Sequence, residues 1–449
     1  MANLVCSKLS EKIKNCHLPS YIYGYPSKRT YKKFDAPINL SEVWSNQSGN
    51  LNLYIHIPFC NYKCTYCTLL SAKINDNILQ ESYIASLLNE ITEYSKVAGY
   101  MKLDSIYFGG GTPTLLSNDQ LEILINTITT KFPNRSANME IAIEGSPETM
   151  DIGKLGLLKR LGVNRISMGV QTFNPEELKK TGRPYPMDVA IQAINNIKEM
   201  NFKNFNLDLI YGLENQTKES WLSSLEKVIS FSPNSINLYP VVIRPLAGIN
   251  QSKQLNKDKF MEDDSKYELY DISVAYMREN GYRQETFVSF TNLDEDGYKQ
   301  QVSDFQGNPL IGIGVGARSY TETIHYSTDY VVTQSSTINI IKDYIDKGFE
   351  NLIQNGFKLD TDEQKRRYII LNLLINKLNY SAYEKKFGSE MLEEFTDEFA
   401  AIEEEGCIEI DRDDGTIILT DKGFKYSSII GSLFESEKVK NLINSFKDK

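Results

Sequence analysis

Three cysteines, Cys60, Cys64 and Cys67, follow one another at CxxxCxxC spacing in the stretch Tyr54-Ile55-His56-Ile57-Pro58-Phe59-Cys60-Asn61-Tyr62-Lys63-Cys64-Thr65-Tyr66-Cys67. The apolar run before them reads as a strand. Thiolates are soft ligands that select zinc or iron–sulfur clusters. An ordinary closed site takes four ligands. Three thiolates this close can hold three irons of a [4Fe–4S] cube and leave the fourth iron open to a substrate or cofactor. That open iron would make the motif catalytic. The alternative is a three-thiolate zinc site that borrows a distant ligand from His17, His325, Cys6, Cys16 or Cys407.

Such a site needs a scaffold. From Leu51 onward, short apolar runs alternate with helical patterns, the βα signature of a parallel sheet. The pattern predicts strands over 51–56, 104–108, 139–143, 164–169, 205–210 and 235–239. Between them, Leu79, Tyr83, Leu87, Ile91 and Tyr94 fall on one helical face. Ser117 with Gln120 makes a capping box, and Gly162 is a helix stop. Six strands alternating with helices fit a partial (β/α)6 barrel, with a doubly wound open sheet as the alternative.

Functional groups of a parallel barrel gather at the C-terminal ends of its strands. That rule selects Gly109-Gly110-Gly111-Thr112-Pro113, Glu144, Gln171 and Asp208. Carboxylates accept hydrogen bonds from hydroxyls, and glycine lets backbone groups reach a charged headgroup. The set could hold a zwitterion and a ribose. A lone acid at a strand end is more often a helix cap or a surface charge. Four polar features at successive strand ends weaken that reading.

The Cys stretch resembles the cluster motif of radical S-adenosylmethionine (SAM) enzymes. Within them it is similar to the oxygen-independent coproporphyrinogen III oxidase-like family, which reads Y-x-H-I-P-F-C-x-x-x-C-x-x-C. The resemblance runs from about residue 50 to the C-terminus and is most specific between Tyr54 and Gly212. It implies the barrel fold, with a [4Fe–4S] cluster on Cys60, Cys64 and Cys67. It also implies that SAM chelates the free iron and is split into methionine and a 5′-deoxyadenosyl radical. Gly109 to Thr114 match the family's G-G-G-T-P-T in full. By the same resemblance Gly110, Gly111, Thr112, Glu144, Gln171, Arg183 and Asp208 position SAM. Tyr66 matches the aromatic that contacts adenine, and Tyr54 heads the motif and is counted with them. The implied partners are a small-molecule substrate and a reducing electron donor of flavodoxin or ferredoxin type.

The sequence also departs from the family. Thr68-Leu69 follows Cys67 where the oxidases proper have a further Cys two residues on. The haem-chaperone branch has an aromatic at the position of Leu69 and an H-N-x-x-Y-W motif; no His here precedes Asn. Gly145-Ser146-Pro147 and Glu214 replace the usual Asp-Pro and Pro. The family includes methyltransferases that use a second SAM. The expectation is a radical SAM enzyme acting on an unidentified organic substrate, possible methyl transfer included, with a non-enzymatic haem carrier as the alternative. Arg244 and Arg318 suit substrate carboxylates or structural ion pairs equally.

Residues 1–50 read as a basic, aromatic arm without a long periodic helix. It either packs over the barrel mouth or forms a partly ordered tail. Residues 51–245 form the barrel core. Residues 246–358 form an extension with a helix near 258–280, a strand at 282–290 and a glycine-rich turn at Gly312–Tyr320 that could approach a ligand or simply pack closely. Residues 359–449 read as a winged-helix-like domain, with helices at 361–376 and 389–405 and a hairpin around an Asp-Gly turn. The hairpin is acidic and the net charge is −10, so a lid is expected and nucleic-acid binding is not. No apolar run reaches membrane-spanning length, and the N-terminus lacks signal-peptide features. Six Cys, three of them clustered, suit a reducing compartment and a cytoplasmic protein.

Overall fold

The computed structural model describes residues 2–16, 20–74, 76–243, 247–295, 297–328, 331 and 333–446. His17 and Arg244 lie outside them. All six expected strands are present: β1 (Asn50–Ile57), β2 (Lys102–Gly110), β3 (Arg135–Gly145), β4 (Arg165–Gln171), β5 (Asn204–Tyr211) and β6 (Ser235–Pro240). They lie side by side in chain order and run parallel. A doubly wound sheet would reverse its strand order partway; this one does not. Helices α1 (Asn77–Ala98), α2 (Asn118–Lys131), α3 (Ile152–Arg160), α4 (Met187–Met200) and α5 (Lys218–Ser230) carry the crossovers. Leu53, Ile55 and Ile57 of β1 are fully buried in the main core with Tyr83, Leu87 and Ile91 of α1. The alternate residues Asn52, Tyr54 and His56 therefore face the barrel interior.

Beyond β1 the sheet continues with β7 (Leu310–Ile313), parallel to it, and then antiparallel strands Arg318–Tyr320, Ile324–Ser327, Leu352–Lys358 and Lys32–Asn39. Beyond β6 lie Ser289–Asn292 and Tyr282–Gln284. Among the described residues no pairing joins the two edges, so the barrel is partial. The expected strand at 282–290 is thus two short strands with a turn between them. The glycine-rich stretch is β7 folding back on Arg318–Tyr320. A Cβ on Gly312 would lie 2.3 Å from the Arg318 carbonyl oxygen, so close strand packing explains that glycine.

The N-terminal segment departs from expectation. Ala2–Lys14 is a helix. Leu9 is buried and Val5 and Ile13 pack beside it in a second apolar cluster, together with Phe399 and Ile402. Val5, Leu9 and Ile13 stand at i, i+4 and i+8, a stripe hidden among lysines and serines. Farther on, Tyr21 stacks near Tyr239 (5.9 Å) and Phe287 (6.4 Å), which brings the arm to the end of β6.

The C-terminal region has helices Thr361–Leu374, Tyr380–Phe387 and Thr396–Glu404 and a three-stranded antiparallel sheet of Leu378–Asn379, Thr416–Leu419 and Ile408–Asp411. This is a winged-helix-like arrangement. Asp411 tightens the hairpin turn by accepting from the N–H groups of Asp413 and Asp414. Ion pairs Arg278–Asp421 (2.7 Å) and Lys425–Asp271 (2.6 Å) tie the region to helix Asp263–Glu279. Among the described residues its bonds run to that helix, the arm and the barrel extension. None reaches the thiols, so the lid expectation gains no contact. Phosphate binding needs basic groups. The full chain is therefore expected to show no salt-sensitive retention of duplex DNA in a gel-shift titration.

Candidate active site

β1 delivers the chain into Phe59–Cys60, which pairs with Ala72–Lys73 and closes a loop holding Cys64 and Cys67. The loop is pinned at its middle. Thr65 N–H donates to Thr181 O (3.0 Å), and Ile249 N–H donates to Thr65 O (2.7 Å). Lys63 Nζ donates to the Leu69 (3.0 Å) and Ser71 (2.8 Å) carbonyls. The three thiols are free and half-buried. Thr112 Oγ1 donates to Cys60 Sγ (3.7 Å), and Ser71 Oγ lies 3.8 Å from Cys67 Sγ.

The glycine run makes this approach possible. Gly111 N–H donates to Ile57 O (2.7 Å) and Thr112 N–H to Phe59 O (2.8 Å). A Cβ on Gly111 would lie 2.5 Å from Phe59 O and 2.8 Å from Ile57 O. Both are backbone atoms that cannot rotate away. Gly110, at φ +108°, gives its N–H to Glu144. The N–H groups of Gly110, Gly111 and Thr112 are thus spent within the protein, and carbonyls are what remains for a headgroup. Gly111→Ala is expected to cost about 2–4 kcal/mol and to lower iron uptake, read by thermal melting and iron analysis.

His56 is a brace. Its Nε2 lies 2.8 Å from Leu70 O and its Nδ1 3.1 Å from Tyr54 Oη. Burial pushes its pKa down to about 4, so the ring is neutral. Nε2–H donates to the carbonyl, and Nδ1 accepts from the tyrosine.

Glu144 accepts from Tyr107 Oη (2.6 Å) on one oxygen and from Gly110 N–H (3.1 Å) on the other. Burial, with Asp208 nearby, pushes its pKa up to about 7 against the two bonds. Asp208 accepts on one oxygen from Asn206 (2.6 Å) and Asn237 (2.9 Å). Burial raises its pKa too, opposed first by those amides and then by Arg165 and Arg183. Arg183 donates to Gly169 O (2.7 Å), Tyr185 Oη and Tyr66 Oη (3.3 Å). Its Nε–H is buried and makes no hydrogen bond among the described residues. Its charge also acts on Cys64. Gln171 sits at φ +76°, where β4 shifts register against β5, and is buried. Tyr66 packs on the cluster of Ile210, Leu213 and Val241. Tyr54 lies 6.1 Å from Tyr107, ring to ring.

The residues selected from the sequence therefore converge on one rim. Arg318 acts electrostatically on Tyr54 and Asp304, so it borders the barrel interior. Tyr107, Asn206, Asn237 and Tyr185 were not anticipated. The first two stand two residues before Gly109 and Asp208 on the inward register of their strands, and that spacing could have found them.

Cysteines and histidine offered for the zinc alternative lie elsewhere. Cys407 is buried in the second apolar cluster with Cys6 against it. Cys16 Sγ is 3.0 Å from Tyr267 Oη, and His325 packs on Tyr320. No three His, Cys, Asp or Glu among the described residues are spaced for a single metal ion. The thiol loop does suit a larger cationic group. Burial pushes Cys60 up to about 12, with Cys67 and Cys64 adding to the rise. Three neighbouring thiolates there call for a metal cluster to carry their charge. The unpartnered Arg183 Nε–H suits a carboxylate.

The family model of the radical SAM superfamily matches residues 54–228. Heme chaperone HemW of Buchnera aphidicola subsp. Schizaphis graminum is 32% identical over 267 residues, covering 60% of this chain and 69% of that one. The oxygen-independent coproporphyrinogen III oxidase of Pseudomonas aeruginosa is 29% identical over 401 residues, covering 86% and 84%. The solved structure of Escherichia coli coproporphyrinogen III oxidase superposes with a TM-score of 0.80 at 24% identity, over 93% of this chain and 97% of that one. A barrel carrying a three-thiol loop at its rim defines a radical SAM protein. The chain belongs to that superfamily, in the oxygen-independent coproporphyrinogen III oxidase-like family that also holds the heme chaperones. Its cofactors are those of the superfamily, a [4Fe–4S] cluster and SAM. No helix among the described residues is long and apolar enough to cross a membrane.

Proposed function

We propose that the protein is an enzyme that cleaves SAM reductively and directs the resulting radical at a small organic substrate. One observation carries this reading. Glu144, Asp208, Gln171 and Arg183 are gathered at the rim that holds the three thiols, and among the described residues Arg183 keeps a buried N–H unpartnered beside Cys64. Cys60, Cys64 and Cys67 would hold the cluster. When bound, cluster and SAM supply a 5′-deoxyadenosyl radical for hydrogen abstraction. Arg183 offers its Nε–H and its charge to the SAM carboxylate. Glu144 and Asp208 offer carboxylate oxygens to its ammonium and ribose hydroxyls. A cation beside Glu144 favours its ionised form and offsets the burial that holds its pKa near 7. Gly110, Gly111 and Thr112 line the methionine end, Gln171 lines the rim, and Tyr66 and Tyr54 supply aromatic surface. A flavodoxin- or ferredoxin-type donor would supply the electron.

Thr68-Leu69 in place of the oxidases' extra Cys favours a product other than protoporphyrinogen. A haem carrier is the second reading, favoured by the relatives named as heme chaperones. One anaerobic assay separates these. Reconstituted protein is incubated with dithionite and SAM, with coproporphyrinogen or haem added in parallel. The expected result is 5′-deoxyadenosine without protoporphyrinogen. Protoporphyrinogen would make the protein an oxidase, and tight haem binding without deoxyadenosine would make it a carrier. S-adenosylhomocysteine alongside deoxyadenosine would select methyl transfer.

A further inference from the structure

A cavity of about 310 Å³ lies away from the thiols, on the outer side of the sheet. It is bounded by α1, by helix Gln334–Lys347 and by the glycine-rich turn between β7 and Arg318–Tyr320. Its volume is at the lower end of small-molecule sites, roughly 300–1,000 Å³. Tyr94, Tyr326, Tyr344 and Phe349 supply aromatic lining, and Glu90 stands on its wall.

Glu90 is only 6% exposed. Its Oε2 accepts both from Gly314 N–H (2.9 Å) and from Tyr344 Oη (2.5 Å). No bond to Oε1 is formed among the described residues. Gly314, at φ +94°, allows this geometry; a Cβ there would lie 2.5 Å from Tyr83 Oη. Lys347 is the basic residue on the described lining, and it is paired with Asp343 at 3.0 Å. Glu350 also lines the opening. The described lining thus carries three acids and one base, and the base is taken up by one of those acids, Asp343, which leaves Glu90 and Glu350 with no cation of the described lining beside them. Burial raises the Glu90 pKa to about 7, above what the two bonds can offset. A buried carboxylate of this kind is stabilised by a cation. Aromatic faces add attraction for an ammonium group. The acidic rim repels anions.

We propose that this cavity binds a small organic ammonium ion, with Glu90 as its counter-ion and the surrounding tyrosines as its walls. The site is independent of the SAM chemistry proposed above. The full-length protein would be titrated calorimetrically with benzylamine, and in parallel with benzyl alcohol and benzoate, which match its shape without its charge. Saturable binding of benzylamine alone is expected. Its affinity should rise with pH from 6 to 8, as Glu90 ionises while the amine stays protonated. Glu90→Gln should weaken binding at least tenfold. Wild-type crystals soaked in 4-bromobenzylamine should show anomalous bromine signal in the cavity, which keeps the proposal testable should Glu90→Gln fail to fold. No binding by wild type, equal binding of the alcohol, an unchanged affinity in Glu90→Gln, or bromine only elsewhere would each overturn it.

Discussion

Anaerobically reconstituted Cys64→Ala should carry almost no iron, where wild type carries about four irons per chain, the content of one cubane. Two thiolates cannot hold three corners of a cube, and the described structure offers no replacement ligand nearby. Cys6, Cys16 and Cys407 are engaged elsewhere, and His56 has both ring nitrogens committed. Deoxyadenosine formation should fall to background with the iron. Folding should survive, because the loop hangs from backbone bonds at Thr65 and from Lys63, not from Cys64. Thermal melting of the metal-free variant should match metal-free wild type within a few degrees. Stoichiometric zinc without iron in anaerobically purified wild type would defeat the cluster assignment itself.

The barrel was legible because its strands are buried on both faces or nearly so. Leu and Ile recurring at alternate positions between helical patterns leave few alternatives. Where an element is polar or short, the pattern failed for identifiable reasons. β3 begins at Arg135, four residues before its apolar stretch; Arg135, Ala137 and Asn138 are exposed, so no apolar pattern marked its start. β7 read as a turn because two closely packed strands require Gly312. The N-terminal helix spreads three apolar residues over nine positions, and only the C-terminal cluster gives them something to cover. At the site, residue types were legible from strand ends. The partners that set their chemistry were not, because Asn237 reaches Asp208 and Tyr107 reaches Glu144 across strands. Register between strands, and not sequence distance, makes those pairs.

The Glu144→Gln and Asp208→Asn variants should each weaken SAM binding at least tenfold while iron content stays near wild type. The charge is the quantity removed; shape and part of the hydrogen bonding remain. A stability measurement tells a binding role from a structural one. Glu144 holds its proton up to about pH 7 in the folded protein, against about 4.5 ordinarily. Between those values the native state binds more protons than the unfolded chain, so its contribution to stability falls as pH rises through that window and is level above it. Glutamine has no proton to lose. Metal-free Glu144→Gln should therefore melt at or above the wild-type temperature at pH 8, with a shallower decline between pH 5 and 7. Asp208 is pushed in the same direction by burial, so Asp208→Asn should likewise lose no stability at pH 8. A ligand carboxylate is retained at such a cost because the charge it binds restores the balance. If either variant melts far below wild type yet binds SAM normally in its folded fraction, that carboxylate supports the barrel and does not contact the cofactor.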